Sequence, residues 1–217
     1  MNAKLQELMK RVKNKTVFIV GGGPSVKNVD LDLLQDEVII CINDAYRYFP
    51  NCTAIYWVDE SWASENYDNL EKHNCQLMFT SKFAQHIGFD PKKERKGLLG
   101  SVILKRTGDN GYDPRIDCVM GNNSGTQVIN LIVNMKPKTI VLLGYDMKHV
   151  DRKSHWHDGK RLPITPTVYT DLFIPSTNAL AKEINKRKLD VDIVNANPNS
   201  ALRCFRYDDY KSFLKAK

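Results

Sequence analysis

Cysteine is sparse and unpatterned in this chain. Cys41, Cys52, Cys75, Cys118 and Cys204 are odd in number and form no Cys-x-x-Cys pair. That argues against a disulfide framework and a zinc site, and for a reducing, cytoplasmic setting. Cys41 lies in an apolar run and reads as buried filler. Long apolar runs are also missing. None approaches the roughly 20 residues that cross a bilayer, so no membrane span is expected. The opening Met1-Asn2-Ala3-Lys4-Leu5-Gln6 lacks the apolar core of a signal peptide. Instead, Leu5, Leu8, Met9 and Val12 share one face at helical spacing. Neither of the best-known phosphate-binding signatures occurs at the glycine-rich segment: no Gly-Lys-Ser/Thr follows it, and Gly-x-Gly-x-x-Gly is not satisfied. Internal repeats and low-complexity tracts are lacking as well.

What remains is an ordinary globular composition. A chain of 217 residues, 42% hydrophobic and 26% charged, is sized for a single domain over residues 1–217. The net charge of +7 favours an anionic partner, either a phosphate-bearing substrate or nucleic acid, although solvated lysine faces give the same balance. Short apolar runs at 16–20, 38–42, 54–58, 76–80, 139–143 and 192–196 read as buried strands. Helical patterns cover 124–135, with Ser124 as N-cap, and 176–188, opening at Ser176 or Thr177. Strands alternating with helices predict an α/β fold: a Rossmann-like, doubly wound, mostly parallel sheet. Residues 82–120 read as an inserted loop or small hairpin, and 148–175 as a lid-like active-site loop.

In such sheets ligands bind beyond the carboxyl ends of the strands. Those ends carry Gly21-Gly22-Gly23-Pro24-Ser25, Asn43-Asp44, Asp59-Glu60, Gly144-Tyr145-Asp146 and Asn195. The glycine turn suits a nucleotide or phosphate, because glycine allows close backbone approach and positive φ. The helix start at Ser124 offers N–H groups to an anion as readily as to its own cap. Asp146 can hold a ribose hydroxyl, a metal or an acceptor hydroxyl, or serve as a cap, and Asp59 has the same choices. His155-Trp156-His157 points two imidazoles the same way if extended. That suits a general base, a phosphate contact or a metal, or else two exposed loop histidines. No metal site is specified.

In order along residues 16–205, these motifs resemble the bacterial sialyltransferase group that uses CMP-sialic acid. They are also similar to the domain-of-unknown-function-115 proteins, which include archaeal 6-hydroxymethylpterin diphosphokinases and flagellin glycosylation factors. The resemblance rests on Val17 to Ser25, Cys41-Ile42-Asn43, Ser124-Gly125-Thr126 with Ile140 to Asp146, and Asn197-Pro198-Asn199-Ser200. It implies a nucleotide pocket lined by Gly22, Gly23, Ser25, Asn43, Ser124, Gly125, Thr126 and Gly144. The sialyltransferases place a catalytic histidine just before the penultimate helix, where this chain has Asp171 to Pro175. Either His155 or His157 stands in for it, or the chemistry is not sialyl transfer.

The expected function is a transferase using a nucleotide-activated donor, a glycosyltransferase moving a sugar from a sugar nucleotide to an acceptor hydroxyl. His155 or His157 would act as base, Asp146 would orient donor or acceptor, and Arg152, Lys153 or Arg161 would stabilise the leaving phosphate. Two alternatives stand. One is an ATP-dependent diphosphokinase acting on a small hydroxymethyl compound, which needs Mg2+ held by Asp59 and Asp146. The other is a non-enzymatic nucleotide- or nucleic-acid-binding module; nucleic acid is also a conceivable acceptor.

Overall fold

The computed structural model describes residues 1–83, 100–156 and 165–215. Nine strands are built from them: β1 (Thr16–Val20), β2 (Val38–Ile42), β3 (Ala54–Trp57), β4 (Met78–Phe83), β5 (Val102–Gly108), β6 (Cys118–Met120), β7 (Thr139–Leu143), β8 (Asp192–Asn195) and β9 (Arg206–Tyr207). They form one sheet in the order β6-β5-β4-β3-β2-β1-β7-β8-β9, with every neighbouring pair parallel. The protein is therefore α/β and Rossmann-like.

The continuous apolar runs follow from burial on both faces, since side chains alternate across a strand. Val17 and Ile19 of β1 pack on one side with Leu5, Leu8 and Val12 of helix α1 (Ala3–Val12). Phe18 and Val20 face the other core, with Trp57, Trp62 and Tyr210. The first face is roofed by α1, α4 (Ser124–Asn134) and α5 (Ile174–Lys186). The second is covered by two short helices, α2 (Glu60–Glu65) and α3 (Tyr67–Glu71), and by 3-10 turns such as Pro24–Asn28 and Asn43–Tyr48. The five cysteines are free thiols, and Cys41 is fully buried in that second core.

Several sequence expectations need correction. β5 and β6 fall within 82–120, and they are parallel members of the main sheet rather than a hairpin beside it. Their polar flanks disguised them: β5 runs from Val102 into Lys105, Arg106 and Thr107. The cap of α4 is Asn123, whose side chain accepts from Thr126 N–H at 2.9 Å, and Ser124 is already helical. Helix α5 begins at Ile174, continuing from a helical turn at Pro166–Val168 and a π-helical turn at Tyr169–Phe173. Ser176 and Thr177 lie inside it, buried, so the last part of the expected loop is helix. No helix among the described residues is long and apolar enough to cross a membrane.

The chain runs outward from β1 to β6 and returns to β7 on the opposite side of β1. The crevice beyond the carboxyl ends of β1 and β7 is thus the topological switch point, where open α/β sheets take their ligands.

Candidate functional site

At that point the turns after β1 and β7 lie against each other. Gly21 N–H donates to Leu143 O at 2.8 Å, and Gly23 N–H donates to Gly144 O at 2.9 Å. None of Gly21, Gly22 and Gly23 has positive φ; the left-handed residue is their partner Gly144, at φ 70°. Lack of room for a side chain, rather than unusual φ, is what calls for the three glycines. A Cβ on Gly23 would sit 2.0 Å from Asp146 Oδ2, and one on Gly22 would sit 2.9 Å from His155 Cδ2. The turn is therefore a saddle over which Asp146 and His155 are packed.

Asp146 is buried, with 2% of its surface exposed. Its carboxylate accepts from the Ser25 hydroxyl at 2.7 Å, from Ser25 N–H at 3.2 and 3.3 Å, and from Asn197 Nδ2 at 3.1 Å. Burial raises its pKa above the ordinary carboxylate value, outweighing the Ser25 bonds and the Lys148 charge that favour ionisation. The anion received by the N–H of Ser25 is thus the protein's own. His155 is fixed through Nδ1, 2.8 Å from the Ser154 hydroxyl, and Trp156 N–H donates to Gly22 O at 3.0 Å. His157 and Arg161 lie outside the described residues.

A cavity of about 170 Å³ opens at the switch point. Its floor is Gly21, Gly22, Gly23 and Gly144, and its sides include Asn43, Asn123, Ser124, Gly125, Asp146 and His155. Tyr169 and Phe173 form an aromatic wall, their rings edge to face at 5.8 Å. Burial first, and then the charge of Asp146, push the Tyr169 hydroxyl up to about 12. Asn43 stands in the left-handed region at φ 49°, and its Oδ1 is buried with no hydrogen-bond partner among the described residues. A buried acceptor without a donor costs free energy unless a ligand supplies one.

A second, larger cleft of about 560 Å³ shares Asp146 and His155 with the first cavity. It is also lined by Ser25, Lys27, Lys148, His149, Lys153 and Asn197. One wall is a tight hairpin in which Val150 and Lys153 exchange backbone bonds of 3.0 and 2.9 Å. Its central residues, Asp151 and Arg152, have φ of 51° and 63°. That is the backbone of a type I′ turn, which needs positive φ at both central residues and usually takes Asn-Gly or Gly-Gly there.

Of the expected site residues, Gly22, Gly23, Asn43, Ser124, Gly125, Gly144, Asp146 and His155 meet in the first cavity, and Ser25 lines the second cleft. Thr126 is fully buried with its hydroxyl 2.7 Å from that of Thr177 in α5, and it lines neither. Asp59 caps α2, accepting from Ser61 and Trp62 N–H groups, and lines neither. Asp44 accepts from Trp62 Nε1 at 2.8 Å. Among the described residues, no three His, Cys, Asp or Glu side chains gather as metal ligands. Sequence reasoning passed over Asn123, Tyr169 and Phe173 as liners, and Asn197 as a partner of Asp146. The one signal for Asn197 was its place in the Asn-Pro-Asn-Ser turn. Compared with known proteins, the chain matches no family model and no curated protein.

Proposed function

We propose that the protein is a transferase that uses a nucleotide-activated donor, most simply a sugar nucleotide, and an acceptor hydroxyl. One observation carries this reading: Asp146 and His155 line both a small glycine-floored cavity and a larger polar cleft. A group transfer needs two ligands meeting at one place, and these two chambers meet at a carboxylate and an imidazole. The nucleoside would take the first cavity against Tyr169 and Phe173, donating to Asn43 Oδ1. The acceptor hydroxyl would approach from the second cleft, and His155 would remove its proton while Asp146 orients it. Lys153, at the same cleft, would offset the charge of the departing phosphate. The ordered resemblance to the sialyltransferase and domain-of-unknown-function-115 groups supports the same assignment.

A melting-temperature screen tests it, with CMP-, UDP-, GDP- and ADP-linked donors, ATP and free nucleotides. A ligand of the native state raises the melting temperature by mass action. One nucleotide series should stabilise the chain, and turnover with its sugar-linked member should release the free nucleotide. If none shifts the transition, the reading fails.

A further inference from the structure

We infer that the larger cleft is an anion site, and that the second ligand of this protein is a small molecule carrying its own phosphate or carboxylate group. This assignment of the acceptor class rests on the transferase reading; the anion site itself does not. Two exposed lysines line one concavity from separate segments: Lys27 from the turn after β1 and Lys148 from the turn after β7. The opposing charge is weaker. Asp146 is buried and already accepts from Ser25 and Asn197, and its pKa is raised by that burial. Among the described residues, that leaves Asp151 as the exposed carboxylate of the lining. A cleft walled by cations of one sign concentrates anions at its mouth. Asn197 and Asn199 add amide donors, which orient an oxyanion where ammonium groups alone would only attract it. The cleft volume of about 560 Å³ is of the size that a small molecule fills.

The site can be read residue by residue from backbone amide shifts of the full chain. Inorganic phosphate and acetate are titrated separately, with and without a saturating nucleoside monophosphate chosen by the melting screen. Saturable shifts at Lys27, Lys148 and Asn199 that persist with nucleotide bound are the expected result. Phosphate binding tighter than acetate assigns a phosphomonoester, and the reverse assigns a carboxylate. Lys27→Ala with Lys148→Ala should weaken the anion by about tenfold or more per cation removed, with an unchanged amide spectrum elsewhere. Three outcomes overturn the proposal. One is no saturable shift at the cleft. Another is loss of those shifts once nucleotide is bound, which gives the lysines to the donor. The last is a short oligonucleotide that binds more tightly than phosphate and perturbs residues well beyond the cleft. Failure of the nucleotide reading looks different: phosphate shifts persist at Lys27 and Lys148, while no nucleotide moves Gly22 or Asn43.

Discussion

The Ser25 hydroxyl donates to Asp146 Oδ2 at 2.7 Å across 121 residues of sequence, tying the turn after β1 to the turn after β7. Because burial still dominates, the Asp146 carboxyl keeps its proton to a higher pH in the folded chain than in the unfolded one. The native state then binds more protons than the unfolded state just above the ordinary carboxylate value, and stability falls as pH rises through that window. Asp146→Asn removes the titration and keeps an acceptor for one of the two donors, Ser25 and Asn197, which bond different carboxylate oxygens. The stability of wild type relative to Asp146→Asn should therefore decline as pH rises from about 4, and then level off. Urea midpoints at a series of pH values measure it, and a difference that is flat or rising would sink the idea.

Gly22 and Gly23 separate the two roles of the turn. A Cβ on Gly23 meets Asp146 Oδ2 at 2.0 Å and Gly144 O at 2.5 Å, a side chain pinned by hydrogen bonds and a fixed backbone. Gly23→Ala should cost about 2–4 kcal/mol. A Cβ on Gly22 meets only the edge of the His155 ring that closely, at 2.9 Å, so that ring must shift while the backbone stays in place. Gly22→Ala should therefore cost less stability than Gly23→Ala and, by displacing His155, lose turnover. Equal melting temperatures for the two variants would contradict this division.

Those glycines also mark how far the sequence could be read. Their position after β1 and the small polar residues after β2 and β7 identified the correct edge of the sheet, because buried parallel strands write continuous apolar runs that end abruptly. The reason for the glycines was not legible. Sequence suggested room for a phosphate and freedom of φ, whereas the nearest contacts are Asp146 and His155, residues more than a hundred positions away. Strands β5 and β6 were hidden for another reason: they lie toward the sheet edge, and half of β5 is only partly buried. Tyr169 and Phe173 reach the cavity through a π-helical turn, which hydrophobic periodicity does not reveal.

Thr126 illustrates a residue whose motif and contact diverge. Its hydroxyl lies 2.7 Å from Thr177, which also donates to Phe173 O at 2.9 Å, so it links α4 to the start of α5. Thr126→Val should lower stability by about 1 kcal/mol and leave nucleotide affinity unchanged. Calorimetric titration of the nucleotide from the melting screen decides the point; a loss of affinity without loss of stability would put Thr126 in the site.

His155 carries the acid-base role in the proposed reaction. His155→Ala should reduce turnover with an identified donor by about 10²–10⁴-fold. Nucleotide-induced stabilisation should persist, since the base contacts the acceptor rather than the nucleoside. Full turnover in this variant would remove His155 from the mechanism, and loss of the nucleotide shift would recast it as a binding residue.

Asn197 offers the sharpest electrostatic test. Its Nδ2 donates to Asp146 Oδ1 at 3.1 Å, in a part of the site where Asp146 is already hard to ionise. Asn197→Asp replaces that donor by a second carboxylate of the same size. Two like charges so close cannot both ionise cheaply, so one of the pair must hold its proton to a higher pH in the folded state. The unfolded chain pays no such penalty, because there the two residues are far apart and titrate normally. Native proton binding then exceeds unfolded proton binding over a wider range, and stability must fall with rising pH across all of it. The variant should approach wild-type stability near pH 4 and lose it steadily toward neutrality, more steeply than Asn197→Ala, which removes the donor and adds no charge. Parallel pH profiles for the aspartate and alanine variants would mean that Asn197 does not face the Asp146 carboxylate in solution.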